Sequence, residues 1–133
     1  MTTCFPPGGS GMLVLDTTIV LALVANRLRR DERRAMEDEP HWAMSSIVLW
    51  EIGMLHKDGR IAFSLDDPAF LDVLEGIEIL PLTLEIARQS HRLDFEADPA
   101  DEIIAATSIV HEARLVTRDT RITGSKIVPL AVR

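Results

Sequence analysis

Cysteine occurs once in this chain, at Cys4, tyrosine not at all, and no apolar run comes near the length of a membrane span. One cysteine excludes an internal disulfide framework and a cysteine-based zinc site, and it suits a reducing, cytoplasmic setting. A bilayer crossing needs about 20 consecutive apolar residues, so no membrane partner is expected. There is no basic start followed by a long apolar segment, so residues 1–11 are not expected to be a secretory signal. Internal repeats are absent too. Positive charge is in deficit, with a formal net charge of −7, whereas nucleic-acid binding ordinarily shows as a basic surface. Distribution qualifies that sum, because Arg27, Arg29, Arg30, Arg33 and Arg34 lie close together and Arg114, Arg118 and Arg121 recur near the end. Local basic patches on an acidic protein are compatible with the composition.

What is present describes one ordinary domain. Its 133 residues are 47% hydrophobic and 26% charged, enough for a full core without staples. Residues 1–11, MTTCFPPGGSG, combine Pro-Pro and Gly-Gly with few large apolar groups and are expected to be a disordered extension. The folded domain is expected over 12–133.

The stretch DPADEIIAATSIVHEARLVTRD, Asp98 to Asp119, organises the reading. Asp98 is placed as a helix cap and Pro99 as the first helical residue. Twelve helix-compatible residues follow, then a connector at His111 to Ala113 and a buried strand Leu115-Val116-Thr117. Asp101 falls in the helix's first turn and Asp119 just past the strand. In open α/β sheets ligands bind outside the carboxyl ends of strands, so Asp119 lies where chemistry is expected.

Met12 to Leu15 reads as another buried strand, ending at Asp16, with Thr17 or Thr18 capping a helix over 19–24. Asp16 itself is the competing cap. A charged helix is expected over 31–39, the RRDERR run forming its solvated face or a contact surface for RNA or a partner. His41 to Met44 reads as a second strand, and Ser45 or Ser46 caps a helix that ends at Gly59. On that helix Glu51 has Ile47, Val48, Met54 and Leu55 as its neighbours three and four residues away. A lone carboxylate on such a face costs several kcal/mol unless paired, protonated or metal-bound; Arg60 and Arg114 are the candidate partners. Asp67-Pro68 opens a helix to Glu75, Ile77 to Leu80 is a third strand, and Thr83 caps a helix to about His91. Thr120 to Ile122 reads as a short turn and Ile127-Val128 as a last strand. Trp42 and Trp50 are assigned to the core, with a dimer contact as the alternative. The four histidines lack metal-ligand spacing. The alternation implies an α/β fold with a mainly parallel central sheet covered on both faces.

Asp16, Glu51, Asp101 and Asp119 therefore stand out by context. Carboxylates gathered in one cleft repel, and a cation makes them tolerable together. Oxygen donors without Cys or His point to Mg²⁺, with Mn²⁺ as substitute, the usual apparatus of phosphate chemistry.

The chain resembles a PIN domain, most closely a VapC-type toxin of a toxin–antitoxin pair. The matching pieces are LVLDTTIVL (13–21), SSIVLWEIGMLHKDGRI (45–61), GIEILPLTLEIARQSHRL (76–93) and DPADEIIAATSIVHEARLVTRDTRI (98–122). The resemblance implies a Rossmann-like three-layer sandwich and a Mg²⁺-dependent endoribonuclease hydrolysing RNA phosphodiesters. It implies a cognate VapB-type antitoxin and a homodimer, and it puts the acidic site on the same four residues. Asp16 and Asp101 are expected as direct ligands and Asp119 directly or through water. Glu51 is expected to ligate or to orient the attacking water, with Thr117 a nearby hydroxyl. Two departures stand out: Glu102 occupies a position where the family commonly has Arg, and the conventional Trp after the first helix is missing. A degenerate PIN domain that only binds RNA or protein is the competing reading. A phosphoryl-accepting receiver or phosphatase domain is a third, against which Thr17 and Thr18 stand where paired acids are needed. On charge repulsion alone, neutralising any one acid, Asp119 included, is expected to stabilise the metal-free fold.

Overall fold

Leu13, Val14 and Leu15 form the strand β1, and all three are fully buried. Successive strand side chains point to opposite faces, so complete burial of three in a row means that both faces of this strand are covered. The computed structural model describes residues 11–132; the expected disordered extension lies almost wholly outside them. After β1 come α1 (Thr17–Val24), α2 (Arg30–Asp38), β2 (Trp42–Ser45), α3 (Ile47–Lys57), α4 (Pro68–Glu75), β3 (Ile77–Leu80), α5 (Leu84–Ser90), α6 (Pro99–Val110), β4 (Arg114–Val116) and α7 (Thr120–Thr123). The strands form one sheet in the order β3-β2-β1-β4, parallel throughout. This is the expected α/β architecture.

The order has a functional consequence. The chain steps outward from β1 through β2 to β3, then returns to lay β4 on the other side of β1. The carboxyl ends of β1 and β4 thus flank the point where winding reverses, the crevice that such sheets use for ligands. Leu13 aligns with Arg114, Val14 with Leu115 and Leu15 with Val116, which brings the residues after both strands to the same edge. Below that edge, Leu15, Ile19, Met44, Ile52, Ile104, Leu115 and Ile122 form one core. Burying each such side chain fully is worth roughly 1.5–3 kcal/mol.

Several sequence expectations are corrected. Ile127-Val128 is not a strand. Asp94 captures Ser125 Oγ at 2.6 Å and the Lys126 N–H at 2.8 Å, while Ser125 Oγ accepts the N–H groups of Ile127 and Val128, both at 3.1 Å. Those donors are unavailable to a ladder, and the chain pairs with β4 only beyond them, through Leu115 N–H to Pro129 O at 2.8 Å and Ala131 N–H to Leu115 O at 3.0 Å. Trp50 is 59% exposed and not core. Trp42 is half-buried, its indole N–H shared between the carbonyls of Met36 and Glu39. Asp98 precedes α6 but makes no side-chain capping bond; Glu102 Oε2 reaches back to the Ala97 N–H at 3.2 Å. The RRDERR run is not wholly solvated, since Glu32 is 3% exposed and held by Arg118.

Candidate active site

The four acids singled out by sequence all line one cleft of about 420 Å³. Asp16, fixed where β1 turns into α1, caps that helix through Oδ1, which accepts the Thr17 N–H at 2.7 Å. Its Oδ2 accepts the Thr117 hydroxyl at 2.5 Å. The cap is therefore Asp16 and not Thr17 or Thr18, and one carboxylate both starts the helix and faces the cleft. Thr117 Oγ1 also accepts the Asp119 N–H at 3.1 Å, tying the ends of β1 and β4 together.

Glu51 comes in from α3, half-buried, and its Oε1 accepts the Thr17 hydroxyl. Neither expected arginine pairs with it. Arg60 lines the cleft without an ion pair among the described residues. Arg114 opens β4 and faces a separate hollow of about 530 Å³ with Arg30, Asp31, Arg34 and Asp38, which contains none of the four acids. Asp101 enters from the first turn of α6 and Asp119 caps α7, its Oδ1 accepting the Arg121 N–H at 2.9 Å.

The electrostatics divide the four. Burial pushes the Asp16 carboxyl above its ordinary value, against the bonds from Thr117 and Thr17, and Asp119 adds repulsion. Burial likewise raises Glu51, opposed by Thr17 and reinforced by Asp16 and Asp98. Asp101 is pushed up to about 7, first by desolvation and then by Asp16, Glu51 and Asp119. Asp119 alone is lowered, chiefly by its bonds from Arg121. That guanidinium reaches Asp119 Oδ2 at 2.8 Å, Asp101 Oδ2 at 3.2 Å and Asp98 Oδ2 at 3.9 Å. The expectation of uniform repulsion is corrected accordingly.

Sequence reasoning gave no role here to Thr17, Arg118 or Arg121, named Arg60 only as a possible partner and Asp98 only as a cap; all line the cleft. A hydroxyl directly after the strand-end acid was the available signal for Thr17. Glu102 is not among the lining residues, and its charge serves the entry to α6.

A sequence profile of the PIN domain matches residues 13–124. The chain belongs to the PIN-domain family. This PIN domain is 32% identical over 99 residues to Ribonuclease VapC22 of Mycobacterium tuberculosis, covering 72% of this chain and 76% of the relative. Among solved structures it resembles a toxin-antitoxin complex from Klebsiella pneumoniae, with a TM-score of 0.68 at 25% identity over 91% of this chain and 98% of the other. It also resembles VapBC2 from Rickettsia felis bound to a DNA fragment from its promoter, with a TM-score of 0.70 at 20% identity over 90% and 96% of the two chains.

The donor set of this PIN site suits a hard divalent cation: carboxylate oxygens only, three of the four with pKa values raised by burial and crowding. As they stand, no three acids among the described residues converge into a ready-made shell. Arg121, Thr17 and Thr117 take up the oxygens that a cation would use. Asp16, Glu51, Asp101 and Asp119 are the residues that would hold it.

Proposed function

We propose that this PIN domain is a metal-dependent endoribonuclease and the toxin of a type II toxin–antitoxin pair, acting in the cytoplasm. The observation that carries the reading is the meeting of Asp16, Glu51, Asp101 and Asp119 in one cleft at the β1–β4 crossover. A relative bearing the name ribonuclease supports the substrate class. A bound Mg²⁺ or Mn²⁺ would supply an acidified water and offset phosphoryl charge. Within the chain, the Thr17 N–H and the Thr117 hydroxyl fix the orientation of the Asp16 carboxylate toward the cleft. Asp101 and Asp119 complete the anionic wall. Glu51 has one oxygen engaged by Thr17, and the other, which accepts no hydrogen bond among the described residues, would take the proton of an attacking water. Arg60, exposed and without an acid partner among the described residues, would meet a backbone phosphate.

Solved relatives described as toxin–antitoxin complexes support an antitoxin partner. Exposed Trp50, Leu71, Leu82 and Leu84 leave apolar surface for that partner and for a homodimer. The test is cleavage of RNA by purified protein with Mg²⁺, with chelator, and by Asp16→Asn and Asp101→Asn. Loss of cleavage in the last three supports the reading, and unchanged cleavage overturns it. A non-catalytic binding module is the second reading, favoured by Arg121 within the acidic wall. RNA retention without cleavage under any metal would select it.

A further inference from the structure

Three arginines line the acidic cleft, and their situations differ. Arg118 is immobilised, with Nε and Nη2 both 2.7 Å from the buried Glu32 carboxylate and Nη2 also 3.2 Å from the Arg27 carbonyl. Arg60 makes no ion pair among the described residues. Arg121 is clamped on the acids themselves: Nε lies 3.1 Å from Asp119 Oδ1, and Nη2 lies 2.8 Å from Asp119 Oδ2 and 3.2 Å from Asp101 Oδ2. Yet nothing encloses it. The side chain is 45% exposed, and the bond that seats its backbone, from its own N–H to Asp119 Oδ1, does not depend on the guanidinium.

Resting on the reading of this cleft as a cation site, we propose that Arg121 is a built-in competitor of the divalent ion. The ion would need the Asp101 and Asp119 carboxylates that this guanidinium engages, so loading the site requires the arginine to swing out toward solvent. The arginine holds the acidic wall together while the cation is absent, and the protein's apparent metal affinity is lowered by the fraction of molecules in which it is seated. A site whose competent form is about one molecule in ten binds about tenfold more weakly than its intrinsic affinity.

The test is metal binding to the RNA-free protein, by calorimetric titration with Mn²⁺ and with Mg²⁺. It is paired with thermal melts in chelator and in saturating Mn²⁺. Arg121→Ala and Arg121→Gln are expected to bind Mn²⁺ about tenfold more tightly than wild type. Arg121→Lys should fall between, since a point charge cannot bridge two carboxylates as a planar fork does. Arg114→Ala, outside the cleft, serves as control and should match wild type. Arg121→Ala should melt below wild type in chelator and at or above it in Mn²⁺; an arginine that is merely structural lowers both melts. Equal or weaker Mn²⁺ binding by Arg121→Ala, with wild type binding and Asp101→Asn failing to bind, overturns this role of Arg121 and leaves the metal site standing. No Mn²⁺ binding by any variant overturns the metal reading and this inference with it.

Discussion

Replacing Asp101 by Asn is expected to make the metal-free protein more stable at pH 8. Asp101 is ordinarily half-ionised at 3.8 but in the fold only at about 7, because it is desolvated and faces Asp16, Glu51 and Asp119. At about 1.36 kcal/mol per pH unit, that displacement corresponds to roughly 4 kcal/mol of destabilisation once the group is ionised. The cleft is open to solvent, so screening reduces the recoverable part to about 1–2 kcal/mol. For a domain of this size the melting temperature should rise by about 3–8 °C. The sign of the pH dependence follows from proton binding. Between 3.8 and about 7 the folded state binds the Asp101 proton and the unfolded state releases it, so stability falls as pH rises through that window. The gain from Asp101→Asn is therefore full above about 7, shrinks as pH falls, and is gone near 4. Thermal melts in chelator at pH 8, 6 and 4 check this. A variant less stable than wild type at pH 8, or a gain that does not change with pH, would refute the reasoning. With saturating Mg²⁺ the advantage should disappear, because the ion stabilises only the form that binds it.

Asp119→Asn should behave oppositely in chelator and melt lower, since Asp119 has a lowered pKa and a charged arginine partner that an amide does not replace; Asn still caps α7, so the loss that the same melts detect is that of the Arg121 pair. Arg118→Ala strands the buried Glu32 carboxylate and should cost about 3–5 kcal/mol in denaturant unfolding. Because Arg118 lowers the Glu32 pKa, that loss should be full above the ordinary 4.5 and fade as pH falls below it. Thr117→Val removes the hydroxyl that serves both Asp16 Oδ2 and the Asp119 N–H; unfolding titrations should show a loss of about 1–3 kcal/mol.

The elements that sequence made legible are those whose ends carry local chemistry. Asp67-Pro68 and Gly76 bound α4, Thr83 starts α5 with its own hydroxyl on the Ile86 N–H, and the apolar Leu13 to Leu15 ends at an acid. The four acids were legible for the same reason, as charges stationed at strand ends or on an apolar face. What escaped depends on distant parts of the chain. Trp50 has the spacing of a core residue, yet only the packing of α3 decides that it faces outward. Arg121 reads as an ordinary charge two residues past an acid, and nothing nearby shows that α6 will bring Asp101 within its reach. Glu32 sits in a charged run and is buried only because Arg118, 86 positions on, comes to meet it. Ile127-Val128 has strand composition, but Ser125 Oγ, itself held by Asp94, takes the donors a strand would need.

The bond between Thr117 and Asp16 spans 101 positions, and it bears on how this protein comes into being. Every fragment of the growing chain that stops short of Arg114 lacks β4, one wall of the cleft and the hydroxyl that orients Asp16. Contacts of such separation close late, after the entropy of a long loop has been lost. A nascent copy thus carries an unassembled site while the hundred residues between Asp16 and Thr117 are made. The interval before it becomes competent is set by the emergence of the segment from Arg114 to Asp119, and any partner that recognises the finished cleft must wait for the same event.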